Sequence, residues 1–290
     1  MAFTVRSTDE RFLELLRRYL GEFRVDDGPD DYLYQADCGK ERVLLGGKVV
    51  RGKAFLYLGS LRIFAGAPWE EMAGRLVSSV RDLVTAHSNE FLRVRAVGVE
   101  VGGAATILPS APNPHLPALA AMLVRAGARY LGDETVNIDP VLHRVHGLRL
   151  PLLLDTRDLV HFPELPRPRG RSRLPDAPEK LGAKTPRVPV RLGDLAGGDG
   201  VARPSPLRGI VFPEFRPGER TELRPLGRSE GLFRFVEAAL NLHIWTDRAL
   251  VLMRQLLEEA DVRRLVVGSL PEAADLLLAS LSDPSSLDGG

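Results

Sequence analysis

The chain of 290 residues contains a single cysteine, Cys38, so no intrachain disulfide can form. Lysine is scarce, occurring only at Lys40, Lys48, Lys53, Lys180 and Lys184, and arginine carries most of the positive charge. Charge of one sign is not in excess either: 39 Lys and Arg face 38 Asp and Glu, a net +1. This near-balance removes any global electrostatic argument for a nucleic acid or an anionic membrane as partner. No apolar run is long enough to span a bilayer and neither end reads as a secretory signal, so the expectation is a soluble cytoplasmic protein. No internal repeat is evident. The 44% of hydrophobic residues are ample for a core, and the length suits one large domain or two small ones.

The first 88 residues read as a β-rich part with two helices. Ser7-Thr8-Asp9-Glu10 has capping-box spacing, and Phe12, Leu13, Leu15, Leu16, Tyr19 and Leu20 follow at helical intervals. Asp26–Asp31 is acidic but misses the calcium-loop pattern, so a solvated turn is expected. Tyr32–Cys38, Arg42–Val50, Phe55–Leu58 and Arg62–Phe64 are β-prone runs separated by glycine punctuation, as in an antiparallel meander. Pro68-Trp69-Glu70-Glu71 starts a helix to about His87, with Trp69, Met72, Leu76, Val80 and Leu83 forming a core-facing stripe.

The informative stretch is Val99–Asp139. Ala104–Leu108 follows the Gly102-Gly103 turn as a buried strand. Leu116–Ala126 has Leu119, Met122 and Leu123 on one helix face, and Gly127 stands where a helix C′ glycine would. Ala128–Leu131 is a second strand, with Asp133 and Glu134 at its carboxyl end. Strand, loop, helix and strand with an acidic end is the order of a P-loop phosphotransferase core. There the loop reads G-x-x-x-x-G-K-[ST]: its amides cradle phosphates, its lysine neutralises them and its hydroxyl holds magnesium.

The run ILPSAPNPHLPALAAMLVRAGARYLGDE resembles the ATP-binding segment of the HPr kinase/phosphorylase-like family, whose fold is related to that of phosphoenolpyruvate carboxykinases. Leu119, Ala120, Ala121, Leu123, Arg125, Ala126, Gly127, Ala128, Arg129, Tyr130, Leu131, Asp133 and Glu134 carry the likeness without a gap. It extends over Phe91–Asp139, with Arg95 where a histidine is usual, and echoes in Gly209–Gly218 and Leu223–Asn241. The resemblance implies an α/β fold with some α+β character: a P-loop-type mixed sheet flanked by helices. The core would span 89–281, with residues 1–88 as its β-rich N-terminal part and 282–290 as a disordered tail.

The departures from that pattern fall on the chemistry. Ser110, Asn113 and His115 stand at glycine positions, Leu116 at the lysine and Pro117 at the Ser/Thr. Pro112, Pro114 and Pro117 have no N–H to give an anion nest. The expected function is therefore a pseudokinase without a working Walker A loop and without a cofactor. It would be a non-catalytic accessory or regulatory protein that binds a protein or peptide, and the resemblance points to a peptide-modification or natural-product pathway. A homo-oligomer is compatible with this.

The alternative is an atypical ATP- and magnesium-dependent phosphotransferase with a rebuilt site. Asp133, with His115 and Arg95, would then be its catalytic and metal-side candidates. Ser110, Asn113, His115, Arg125 and Arg129 would be its ligand contacts.

Two further features complete the reading. Pro163–Pro206 is rich in Pro, Arg and Gly and is expected to be a long loop or flexible insertion. Arg167, Arg169, Arg171 and Arg173 alternate within it, so an extended chain would offer a basic strip to an acidic partner or a nucleic acid. No aromatic is interleaved to stack a base, which disfavours the nucleic acid. His143 and His146 have H-x-x-H spacing, but two histidines alone do not make a zinc site.

Overall fold

The computed structural model describes residues 2–25, 31–39, 41–43, 49–66, 69–148, 150–165, 187–196 and 200–282. The N-terminal portion contains β1 (Phe3–Ser7), α1 (Glu10–Leu20), β2 (Tyr32–Asp37), β3 (Glu41–Val43), β4 (Val49–Arg51), β5 (Ala54–Leu58), β6 (Leu61–Gly66) and α2 (Trp69–His87). Asp9, rather than Ser7, caps α1: its carboxylate accepts the Arg11 N–H at 2.9 Å. The expected meander is largely present, in the order β1-β2-β5-β6. It gains β1, which pairs parallel to β2, while β3 and β4 form a hairpin of their own. Trp69, Met72, Leu76 and Val80 of α2 are buried, as their spacing requires.

The next stretch contains β7 (Leu92–Val94), β8 (Ala96–Val101), β9 (Ala104–Pro109), α3 (Leu116–Arg125), β10 (Arg129–Gly132), β11 (Val136–Ile138) and β12 (Arg144–His146). Gly102 and Gly103 both take positive φ (61° and 86°), which closes the two-residue β8–β9 hairpin. A paired C-terminal cap ends α3: Gly127 at φ 112° donates to the Val124 carbonyl and Ala128 to that of Leu123.

Beyond it come β13 (Leu152–Asp155), β14 (Arg187–Val190) and α4 (Leu192–Ala196). The expected loop over Pro163–Pro206 therefore contains a strand and a short helix; Arg167, Arg169, Arg171 and Arg173 lie outside the described residues. The chain finishes with β15 (Ser205–Phe215), β16 (Glu222–Pro225), α5 (Arg228–Ala238), α6 (Leu242–Trp245), α7 (Asp247–Glu259), β17 (Asp261–Val267) and α8 (Leu270–Ser282). Of the expected tail, 282–290, Ser282 instead ends α8, and residues 283–290 lie outside the described residues.

The fold is mixed α/β, with helices flanking mixed sheets and a strand-rich N-terminal part. Its contacts divide it into two compact units, one of residues 1–84 and 153–191, the other of 85–152 and 192–290. The division is not collinear with the chain, because 153–191 groups with the N-terminal residues.

The second unit is built on a nine-stranded sheet with β10-β8-β9-β15-β12-β11-β7 in order; β17 also pairs with β15, and β16 with β17. β15 runs parallel to both β9 and β17. Gly209 lies at a bulge in β15, where a Cβ would come within 2.5 Å of the Thr106 hydroxyl, so glycine allows the close approach to β9.

Alternation along the strands feeds two faces. Ala105, Ile107, Ile210 and Phe212 join one core cluster with Phe235 and Ala238 of α5 and Leu252, Met253 and Leu256 of α7. Leu108 and Val211, one residue out of phase, are buried outside that cluster. α3 packs on α8 and on β8.

The free edge of β7 is covered by the segment after α5. Arg95 donates its N–H to the Ala238 carbonyl, and Leu240 donates to that of Arg93. Fully buried Asn241 accepts the Arg93 N–H at 2.9 Å and donates to the Phe91 carbonyl at 2.8 Å.

Among the described residues no helix is long and apolar enough to cross a membrane.

Candidate functional site

The loop between β9 and α3 opens at the carboxyl ends of two adjacent parallel strands, β9 and β15. This is where open α/β sheets place their ligand crevices. A groove of about 550 Å³ lies there. One wall is Pro109, Ser110, Ala111, Pro112 and Asn113, the floor is Phe212, Pro213 and Phe215, and the other wall is Glu230, Phe233, Arg234 and Glu237. The last four are spaced i, i+3, i+4 and i+7, so a single face of α5 supplies that wall.

Several N–H groups of the loop already have acceptors. Asn113 folds back as an Asx turn: its side-chain oxygen accepts the His115 N–H at 2.9 Å and its carbonyl that of Leu116 at 3.4 Å. The Ser110 N–H goes to the Arg95 carbonyl and the Leu119 N–H to the His115 carbonyl. Pro112, Pro114 and Pro117 offer none. Leu116, at the lysine position of the P-loop pattern, is 3% exposed, and Pro117 is buried in the first turn of α3. A triphosphate with magnesium does not fit this loop: the charge, the hydroxyl and the converging donors are missing together.

The other sequence-derived candidates are dispersed. Asp133 is 2% exposed and accepts the Tyr130 hydroxyl at 2.8 Å. It follows β10, separated from β9 by β8, which puts it about 10 Å across the sheet from the loop. Arg125 ends α3, about 15 Å along the helix from the loop. Arg129 opens β10 at the same remote end, 3.3 Å from the Glu100 carboxylate and 3.0 Å from the Val201 carbonyl. Arg95 meets the loop through its backbone carbonyl. The His115 ring lies 6.1 Å from that of Phe215, and the Ser110 hydroxyl donates to the Ala111 carbonyl.

Sequence reasoning overlooked the α5 wall. The apolar spacing of Leu232, Phe233, Val236 and Leu240 would put Phe233 on the buried side of that helix, yet Phe233 is 66% exposed, and Phe235, at 0%, takes the core position. Arg234 reaches Glu214 and Glu230, each at 2.7 Å. Burial pulls the guanidinium pKa down, but these two carboxylates outweigh it and raise it. Burial likewise pushes the Glu214 carboxyl up, and Arg234, Arg264 and Arg216 more than reverse that, leaving it below the usual range. Glu237 is exposed on the same wall. Two carboxylates against one guanidinium give the groove lining a net negative charge at neutral pH.

His143 pairs with Glu259 at 2.9 Å and His146 packs against Phe91, so the two are engaged separately. Among the described residues no group of three or more His, Cys, Asp or Glu is arranged to hold a metal.

Compared with known proteins, the chain matches no family model and no curated protein sequence.

Proposed function

We propose that the protein is a non-catalytic relative of HPr-kinase-like phosphotransferases, a pseudokinase that works as an accessory or regulatory binding protein. The observation that carries this reading is the β9–α3 loop. Asn113 turns two of its N–H groups inward, three prolines remove others, and Leu116 is buried in place of a lysine. The surrounding strand–loop–helix–strand frame keeps the order of a phosphate-binding core, and its crevice remains open. A frame that persists while the cradle is closed suits binding without phosphoryl transfer. What supports a role beside peptide modification or natural-product assembly is the sequence resemblance of 91–139 to that family.

Calorimetric titration with ATP and with ADP, each with and without magnesium, tests the reading. The expected result is no binding at millimolar nucleotide. Micromolar, magnesium-dependent binding that is lost in Asp133→Ala would overturn it in favour of a rebuilt phosphotransferase site.

A further inference from the structure

We infer that the groove between the β9–α3 loop and α5 binds an extended, proline-containing basic peptide. The inference rests on the accessory-protein reading and specifies what such a protein would hold.

Three features of the groove converge on that occupant. The first is its surface. The half-buried Phe215 and the largely exposed Phe233 give it an aromatic lining, with the buried Phe212 beneath, and Pro112 and Pro213 add flat apolar surface. Grooves lined in this way suit polyproline II segments, which arrive already extended and lose little entropy on binding.

The second is charge. Glu230 and Glu237 flank the groove, and its one lining guanidinium, Arg234, is already held by Glu214 and Glu230. A phosphate or a carboxylate would meet net negative charge and would have to compete for that arginine. A cationic side chain meets the complementary field, and Glu237, for which no ion pair is found among the described residues, is placed to receive it.

The third is spacing. Glu230 and Glu237 are seven residues apart on α5, about 10 Å along its axis. A polyproline II chain rises about 9 Å over three residues and returns to the same side with each turn of three. Arginines three residues apart would therefore reach Glu237 and, in competition with Arg234, Glu230, while the intervening residues cover Phe215 and Phe233. A groove of about 550 Å³ has room for a few such residues rather than for a folded domain surface.

Fluorescence anisotropy of the full chain with a labelled Arg-Pro-Pro-Arg-Pro peptide tests this. Glu237→Lys and Phe233→Ala alter exposed residues and should leave the far-UV circular dichroism unchanged. The expected result is micromolar binding that weakens as salt rises and falls about tenfold or more in each variant. A peptide with glutamate for arginine should not bind, and one with adjacent arginines should bind more weakly. No binding of the basic peptide, equal binding of the acidic one, or affinity unchanged in both variants would overturn the inference. Magnesium-ATP separates the two levels. A bound peptide displaced by the nucleotide supports the groove and overturns the accessory reading, whereas failure of both peptide and nucleotide to bind overturns the groove alone.

Discussion

Leu116 is the side chain on which the pseudokinase proposal turns. It stands where the P-loop pattern has lysine and turns into the core at 3% exposure. Restoring the lysine is therefore not expected to restore the chemistry. Leu116→Lys should bury an unpaired ammonium and cost roughly 3–5 kcal/mol of stability. Urea unfolding measures that loss, and calorimetry should show no gain in nucleotide binding. Glu214 makes a different residue-scale prediction. Its folded pKa lies below its unfolded one, so its contribution is present above the ordinary glutamate range and is lost as pH falls through the depressed value. Wild type should therefore melt above Glu214→Gln at neutral pH, with the difference shrinking as the medium becomes acidic.

Among the elements, α5 and the chain just after it serve both the core and the groove. Phe235 and Ala238 face the sheet, while Glu230, Phe233, Arg234 and Glu237 face the crevice. The helix is followed by a latch, Asn241, which bonds backbone groups of Arg93 and Phe91 across the edge of β7. Asn241→Ala would leave a buried N–H and a carbonyl without these partners, at roughly 2–4 kcal/mol. Hydrogen exchange should then speed up at Arg93 before it does in β9 or β15, because β7 would lose its cover first.

At the scale of the whole molecule, the first unit is discontinuous. Its α2 approaches β14 closely enough that a Cβ on Gly74 would lie 2.4 Å from the Arg187 carbonyl oxygen. A fragment ending at Val84 lacks that partner strand. It should fail to show a cooperative thermal transition in calorimetry, whereas the full chain should show one. The near-neutral net charge gives the intact molecule little long-range steering. Any charge-dependent recognition must then come from local groups such as those lining the groove.

Much of the architecture was legible in the sequence because local rules and burial agree there. The Gly102-Gly103 hairpin, the Gly127 cap and the Trp69–His87 helix all follow from turn chemistry and apolar period. That the segment after β9 has leucine and proline where the P-loop pattern has lysine and Ser/Thr, and three prolines without an N–H, was equally plain, since those are properties of residue types. What the sequence could not fix were choices between equivalent patterns. Leu232, Phe233, Val236 and Leu240 form as good an apolar stripe as Gly231, Phe235 and Ala238. Packing against the sheet takes Phe235 and Ala238 from the second and keeps Leu232 and Val236 partly buried from the first, but turns Phe233 outward. The pairing of β1 with β2 joins residues about thirty positions apart, and the grouping of 153–191 with the N-terminal residues spans still more. Asp133, Arg125 and Arg129 are neighbours in sequence but reach different ends of the sheet, because a strand and a helix each carry the chain past the site. Residue type alone determined which chemistry the loop lacks; tertiary packing decided which residues line the groove, because only contacts distant in sequence select the buried face of a helix.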